Sequence, residues 1–160
     1  MSSKSKLGVW FPTPKQERVF NEYLNGQNVY VSGKGGSGKT KVAASILVNA
    51  KKRQVPYIYY TYNTLSKDLN KGVKWKWRNI KLIVVDEVSI KNKDIISLVQ
   101  LIDSRGRNSQ NLNMNFGGIK VIMFHCSNRL PSFKTCVNKV GACNKNCLSC
   151  LFPPESRIKL

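Results

Sequence analysis

Eight consecutive residues, Gly33-Lys34-Gly35-Gly36-Ser37-Gly38-Lys39-Thr40, are of the types that cradle a phosphate. They satisfy G-x-x-x-x-G-K-(S/T), a spacing in which each residue type has a physical task. Gly33, Gly35, Gly36, Ser37 and Gly38 form a loop whose backbone can wrap an anion and turn its N–H groups inward. A helix starting directly behind the loop adds partial positive charge. Lys39 is placed to neutralise the outer phosphate oxygens, and Thr40 carries a hydroxyl able to ligate Mg²⁺. The expected ligand is a nucleoside triphosphate; the bland alternative is a glycine-rich turn that holds nothing.

A second constellation lies further on. Asp86 and Glu87 close the aliphatic run Leu82 to Val85 and are two of only 8 acids in the chain. Carboxylates set together after a buried run need a cation. In phosphate-transferring sites the first acid holds Mg²⁺ through water, and the second orients or deprotonates the attacking water. Lys39, Asp86 and Glu87 are therefore the candidate catalytic groups, and Thr40 with Asp86 the candidate Mg²⁺ ligands. A pair that merely offsets Lys81 and Lys91 is the competing explanation.

These groups require particular elements to position them. Val29 to Val31 is short and β-branched and runs into the glycine loop, and Lys41 to Lys52 then reads as a helix, so the loop has the strand–loop–helix setting it needs. Upstream, Thr13-Pro14-Lys15-Gln16 opens a helix with an N-cap, a proline at the first position and a Gln three residues after the cap. Val19, Phe20, Tyr23 and Leu24 form its apolar stripe, and Gly26 stops it. Further strands are expected at Tyr57 to Tyr62, Leu82 to Val85 and Ile119 to Phe124, the continuous aliphatic runs being of the type buried on both faces of a parallel sheet. Asp94 can cap a helix carrying Ile95, Leu98, Val99 and Ile102 on one face, and residues 105–115 read as a polar loop. Alternating strands and helices predict an α/β fold, a mostly parallel sheet with helices on both faces. The expected division is a nucleotide-binding domain over residues 1–132 and a cysteine-rich basic tail over 133–160, poorly ordered and without clear periodicity.

The chain of 160 residues allows one such unit. Its 27 Lys and Arg against 8 Asp and Glu leave a net charge of +19, which points to a polyanionic partner, nucleic acid before an anionic membrane surface. Neither a membrane-spanning run nor a secretory signal is visible, so an intracellular location, nucleus or cytoplasm, is expected. The 5 cysteines are then free thiols or metal ligands rather than a disulfide framework. Cys136, Cys143, Cys147 and Cys150 have tolerable spacing for Zn²⁺ but lack paired C-x2-C units, and free or partly buried thiols are the favoured reading. Lys74-Trp75-Lys76-Trp77-Arg78 interleaves cations with aromatics, an arrangement suited to stacking on single-stranded bases; core packing by the tryptophans is the alternative. His125, at an expected strand end, reads as a structural histidine.

Taken together, the loop VSGKGGSGKT, the strand WRNIKLIVVDEVSI, the lead NFGGIKVIM and the Gln-bearing first helix resemble the first RecA-like domain of the Pif-type DNA helicases of superfamily one, across about residues 14 to 132. The resemblance implies ATP with Mg²⁺, single-stranded DNA, 5′-to-3′ unwinding by a complete motor, and work in DNA replication, repair, recombination or telomere maintenance. It implies an adenine contact for Gln16, whose other reading is the capping partner of Thr13, and a strand-supporting role for Ser89. The family's next motif reads roughly G-D-x-x-Q-L-P-P, where this chain has His125-Cys126-Ser127-Asn128-Arg129-Leu130-Pro131-Ser132. Arg129 stands in the place of the coupling Gln and remains able to meet a phosphate oxygen, although a fixed cation does not orient water in the same way. A second RecA-like domain, which supplies an arginine finger, would have to come from a partner, so the resemblance implies a truncated or diverged motor half that does not unwind alone. Two other classes stay open. KGGSGKT also matches the ParA/MinD-type dimeric ATPases, with Lys34 reaching across the dimer, but Glu87 after Asp86 is unusual there. A basic nucleic-acid-binding module with a structural nucleotide is the third.

Overall fold

The computed structural model describes residues 11–70, 79–88, 118–126 and 151–160. Helix α1 spans Pro14–Leu24, strand β1 Val29–Ser32, helix α2 Lys39–Lys52, strand β2 Tyr57–Thr61 and helix α3 Tyr62–Asn70. Strands β3 (Leu82–Val88), β4 (Lys120–His125) and β5 (Arg157–Lys159) complete the described elements, with a 3-10 turn at Pro154–Ser156. The strands form one sheet in the order β2-β3-β4-β1-β5, and every pairing is parallel.

The pleat divides the core in two, because successive strand residues point to opposite faces. Val29, Val31, Leu82, Val84, Ile122, Phe124 and Ile158 pack beneath α1 and α2, which contribute Val19, Tyr23, Val42, Ala43, Ile46 and Ala50. On the other face Tyr30, Tyr60, Ile83, Val85, Val121 and Met123 meet Leu65 of α3 together with Leu151 and Phe152. Strands buried on both faces explain the unbroken aliphatic runs in β3 and β4.

Several boundaries differ from the sequence expectation, each for a local reason. Tyr62 opens α3 rather than ending β2. The Thr61 and Thr64 hydroxyls and amides bond reciprocally, Thr61 N to Thr64 Oγ1 at 3.0 Å and Thr64 N to Thr61 Oγ1 at 3.4 Å, and that local pairing turns the chain into a helix. Strand β3 continues through Asp86 and Glu87 to Val88 instead of stopping at Val85. Helix α2 begins at Lys39, two residues earlier than the apolar pattern suggests. Residues 151–160, expected to be part of a poorly ordered tail, contribute β5, paired with β1 at Tyr30 to Arg157, Val31 to Ile158 and Ser32 to Lys159. A strand of three residues is too short to show a period. The helix expected from Asp94, the loop 105–115, Ser89, Phe116 and Gly117 lie outside the described residues, as do Lys74, Trp75, Lys76, Trp77, Arg129, Cys136, Cys143, Cys147 and Cys150.

Ile46 is fully buried where α2 sits on the sheet, whereas Val48, two residues on, is 58% exposed. Ile46→Ala should lower stability by about 2–5 kcal/mol through lost burial and the cavity left behind, and Val48→Ala should change it by less than about 0.5 kcal/mol. Urea denaturation of the two variants checks this; equal losses would mean that α2 is not docked by this face.

Candidate nucleotide site

Strand β1 has neighbours on both edges and is buried along its whole length, so it delivers the glycine loop from a strand paired on both sides. Gly38 is the N-cap of α2 with φ 90°, a left-handed conformation that favours glycine. It offers no side chain, and no side-chain cap bonds the first turn of α2. The amides there that a Ser or Asp cap would normally satisfy are left to the loop concavity, the arrangement that binds anions. Gly38 is also sterically committed, because the space of a Cβ is taken by the Gln16 side-chain amide. The Lys39 ammonium folds back across the loop and donates to the carbonyls of Gly33 and, at 3.0 Å, Lys34, with Ser37 Oγ 3.5 Å away. Thr40 lies exposed in the first turn of α2, and Gly35 and Gly36 are exposed at the rim.

Gln16 joins the first helix to the loop. Its Oε1 accepts from Thr13 N at 2.9 Å while Thr13 Oγ1 accepts from Gln16 N at 3.2 Å, a complete capping box. The same side chain donates from Nε2 to Ser37 O at 3.0 Å. The capping reading of Gln16 is therefore present in the structure, and the same amide also holds the loop. Beside it a groove of about 480 Å³ between α1 and α2 is lined by Pro12, Gln16, Glu17, Phe20, Asn21 and Ser45.

The acidic pair sits on β3, two strands away from β1, with β4 between. Pairing of β3 with β4 runs regularly to Val85 and resumes at Val88, so Asp86 and Glu87 occupy a bulge. Bulges re-aim side chains, and here Glu87 adopts φ 58°, a left-handed conformation uncommon for a residue with a Cβ. Asp86 is held from two sides: Oδ1 accepts from Glu87 N at 2.7 Å and Oδ2 from the Tyr59 hydroxyl at 2.9 Å. Tyr59, on the neighbouring strand, carries no signal in the sequence, because an aromatic-rich strand gives no sign of which hydroxyl will find a carboxylate. Burial, the bond to Asp86 and the charges of Asp86 and Glu87 push its phenol up to about 12. At the end of β4, His125 is fully buried with Nδ1 2.9 Å from the Tyr30 hydroxyl, in keeping with the structural reading, and burial raises the Tyr30 phenol. Cys126 is an exposed free thiol. Among the described residues no group of three or more His, Cys, Asp or Glu is arranged to hold a metal, and no helix is long and apolar enough to cross a membrane.

A parallel sheet in which an interior strand feeds a glycine loop and an uncapped helix, with acids on a nearby strand, defines a P-loop NTPase fold of the RecA-like kind. Comparison with known proteins finds likeness to Pif1-type helicases and, at the level of fold, also to a DNA replication initiation factor, which superposes with a TM-score of 0.61 at 16% identity. No family model matches the chain. The ATP-dependent DNA helicase PIF5 of Trypanosoma brucei brucei is 24% identical over 140 residues, an alignment covering 69% of this chain and 15% of that protein. The Bacteroides sp Pif1 structure in complex with ADP-AlF4 superposes with a TM-score of 0.64 at 19% identity, over 95% of this chain and 42% of its own. Pif1 from Candida albicans gives 0.62 at 18% identity, over 95% of this chain and 40% of its own. The chain thus spans well under half the length of the helicases it resembles.

Because the Tyr59 phenol titrates higher folded than the ordinary value near 10, the stability its neutral form provides is present in full below about pH 10 and is lost as pH rises through about 12. The Tm difference between the unaltered protein and Tyr59→Phe should accordingly shrink between pH 10 and pH 12. A difference constant over that range would show that the hydroxyl does not engage Asp86.

Proposed function

We propose that this chain carries the ATP-binding half of a Pif-type DNA helicase motor in a diverged form. The observation that carries the reading is the first turn of α2: Gly38 in the left-handed region, no side chain capping the helix, and Lys39 folded over the same concavity. An anion entering there meets backbone N–H groups, the positive end of a helix dipole and one ammonium. A triphosphate in place of the loop carbonyls would draw Lys39 outward onto its β and γ oxygens.

The donors present suit Mg²⁺, a hard cation that prefers oxygen ligands and retains waters. The Thr40 hydroxyl and the Asp86 carboxylate would hold it, and Mg²⁺ would neutralise charge on the phosphates. Tyr59 and Glu87 N fix the orientation of Asp86. Glu87, exposed at the bulge, is the group to orient or deprotonate a water aimed at the terminal phosphate. Gln16 reaches the nucleotide from the side of α1 while bracing the loop through Ser37 O, and Arg129 is assigned to a phosphate oxygen. The +19 charge supports a nucleic-acid ligand, single-stranded DNA, met in part by Lys74, Trp75, Lys76 and Trp77. A second motor domain or protein partner would complete the machine.

Lys39→Ala should weaken ATP binding by about 10- to 150-fold, the equivalent of losing a charged hydrogen-bonding group worth about 1.5–3 kcal/mol. Fluorescent-nucleotide titration measures it, and unchanged affinity would remove the loop from the site. ATP turnover measured with and without single-stranded DNA, with Glu87→Gln as the control, then separates a coupled motor from a domain that only binds. Turnover that persists in Glu87→Gln would reject the role given to that residue.

A further inference from the structure

The end of the sheet opposite the glycine loop carries a row of cations that nucleotide binding does not use. In a parallel sheet all strands start at one end, and here β3 follows directly on Lys81, while β4 and β5 start at Lys120 and Arg157. Pro56, Lys81 and Lys120 lie side by side where β2, β3 and β4 begin: Lys81 N donates to Pro56 O at 2.9 Å and Lys120 N to Lys81 O at 3.0 Å. Neighbouring strands are about 4.8 Å apart; Lys120 pairs with Leu82, so Lys81 and Lys120 are one residue out of register and flank the same end of the sheet from its two faces. The stem of Lys120 runs past Gly26, at the foot of α1. Helix α2 descends to the same end and finishes with Lys51, Lys52 and Arg53, from which Val55 leads into Pro56. All five cations are exposed.

Lys51 and Lys52 have a local explanation, since cations favour a helix C-terminus. Lys81 and Lys120 precede or open strands and have none. Among the described residues no carboxylate is bonded to any of the five; Asp68 is taken by the Tyr60 hydroxyl, and Glu22 and Glu155 are the other described acids towards this end. Five exposed cations so arranged repel one another unless a polyanion covers them. The large hydrophobics exposed on the described surface are Phe11, Leu24, Val48 and Tyr59, and neither of the two aromatics accompanies the row to stack on a base: Phe11 precedes α1 near the loop end, and Tyr59 is beside Asp86.

We propose that this rear edge, Lys51, Lys52, Arg53, Lys81 and Lys120, is a sequence-independent binding surface for the phosphate backbone of duplex nucleic acid, separate from the nucleotide loop. Flexible, fully charged stems without an aromatic platform suit backbone neutralisation rather than base reading. A duplex held there would keep the protein on its track while the opposite end of the sheet turns over nucleotide.

The test uses the 160-residue chain, a labelled random-sequence DNA duplex and anisotropy titrations between 50 and 200 mM salt. The variant Lys52→Gln/Lys81→Gln/Lys120→Gln is compared with Lys15→Gln/Lys41→Gln/Lys159→Gln, which removes the same charge from the loop end. The rear variant should bind duplex at least 10-fold more weakly at the higher salt. Its log–log salt slope should fall by about 0.9 for each phosphate no longer neutralised, up to about 2.7. The loop-end variant should change far less, and the Lys→Arg version of the rear triple should restore binding. Equal losses in both Gln variants, an unchanged rear variant, or rear-dependent binding of phosphatidylserine vesicles without duplex binding would each overturn the proposal. ATP affinity measured in parallel should be retained by the rear variant; failure of the unaltered chain to bind ATP would refute the nucleotide reading and leave the rear surface standing.

Discussion

The first turn of α2 presents backbone N–H donors that no side chain takes up, and the surrounding structure keeps them that way. A Ser or Asp at position 38 would cap the helix and close the concavity; glycine there, in a left-handed conformation, holds it open. The conformation is maintained because β1 is clamped between β4 and β5 and buried on both faces, and because Gln16 ties the loop to α1 through Ser37 O. Unpaired donors are costly to leave without a partner. A helix start arranged in this way has a physical reason to recruit an anion.

The acids are held by a different device with a related logic. A bulge in β3 and a left-handed Glu87 are local distortions that an edge or a loop would tolerate more easily than a strand flanked by β2 and β4. They hold because Tyr59 and the Glu87 amide bond the two oxygens of Asp86, and because Val85 and Val88 on either side are buried. Rigid burial on both sides of a strained pair is how a fold keeps a carboxylate in one orientation.

Much of this is legible from residue types. The glycine loop, its flanking strand and helix, the capping box and the aliphatic strands all follow from short-range chemistry, and they stand at or within three residues of the expected places. Interactions that depend on long-range register are not legible. The Tyr59 to Asp86 bond spans 27 residues and depends on how β2 aligns with β3. Strand β5 is too short to carry a period and forms only because β1 offers it an edge. Helix α3 is hidden because Tyr57 to Tyr62 reads as one β-rich run, whereas the Thr61–Thr64 pairing ends it. Gln16 shows the opposite case: its capping role is legible in the sequence and is present, while its bond to the loop at Ser37 O, 21 residues away, is not legible there.

The central claim is that the backbone of the loop itself receives a triphosphate. Amide chemical shifts of an isotopically labelled chain, recorded as ATP and Mg²⁺ are added, test it most directly. A triphosphate seated in the loop predicts the largest, saturable changes at Gly36, Gly38, Lys39 and Thr40, with smaller ones at Gln16 and Asp86. Changes spread over the exposed lysines, with the glycine-loop amides unmoved, would mean that the nucleotide is held by surface charge and that the loop is only a turn.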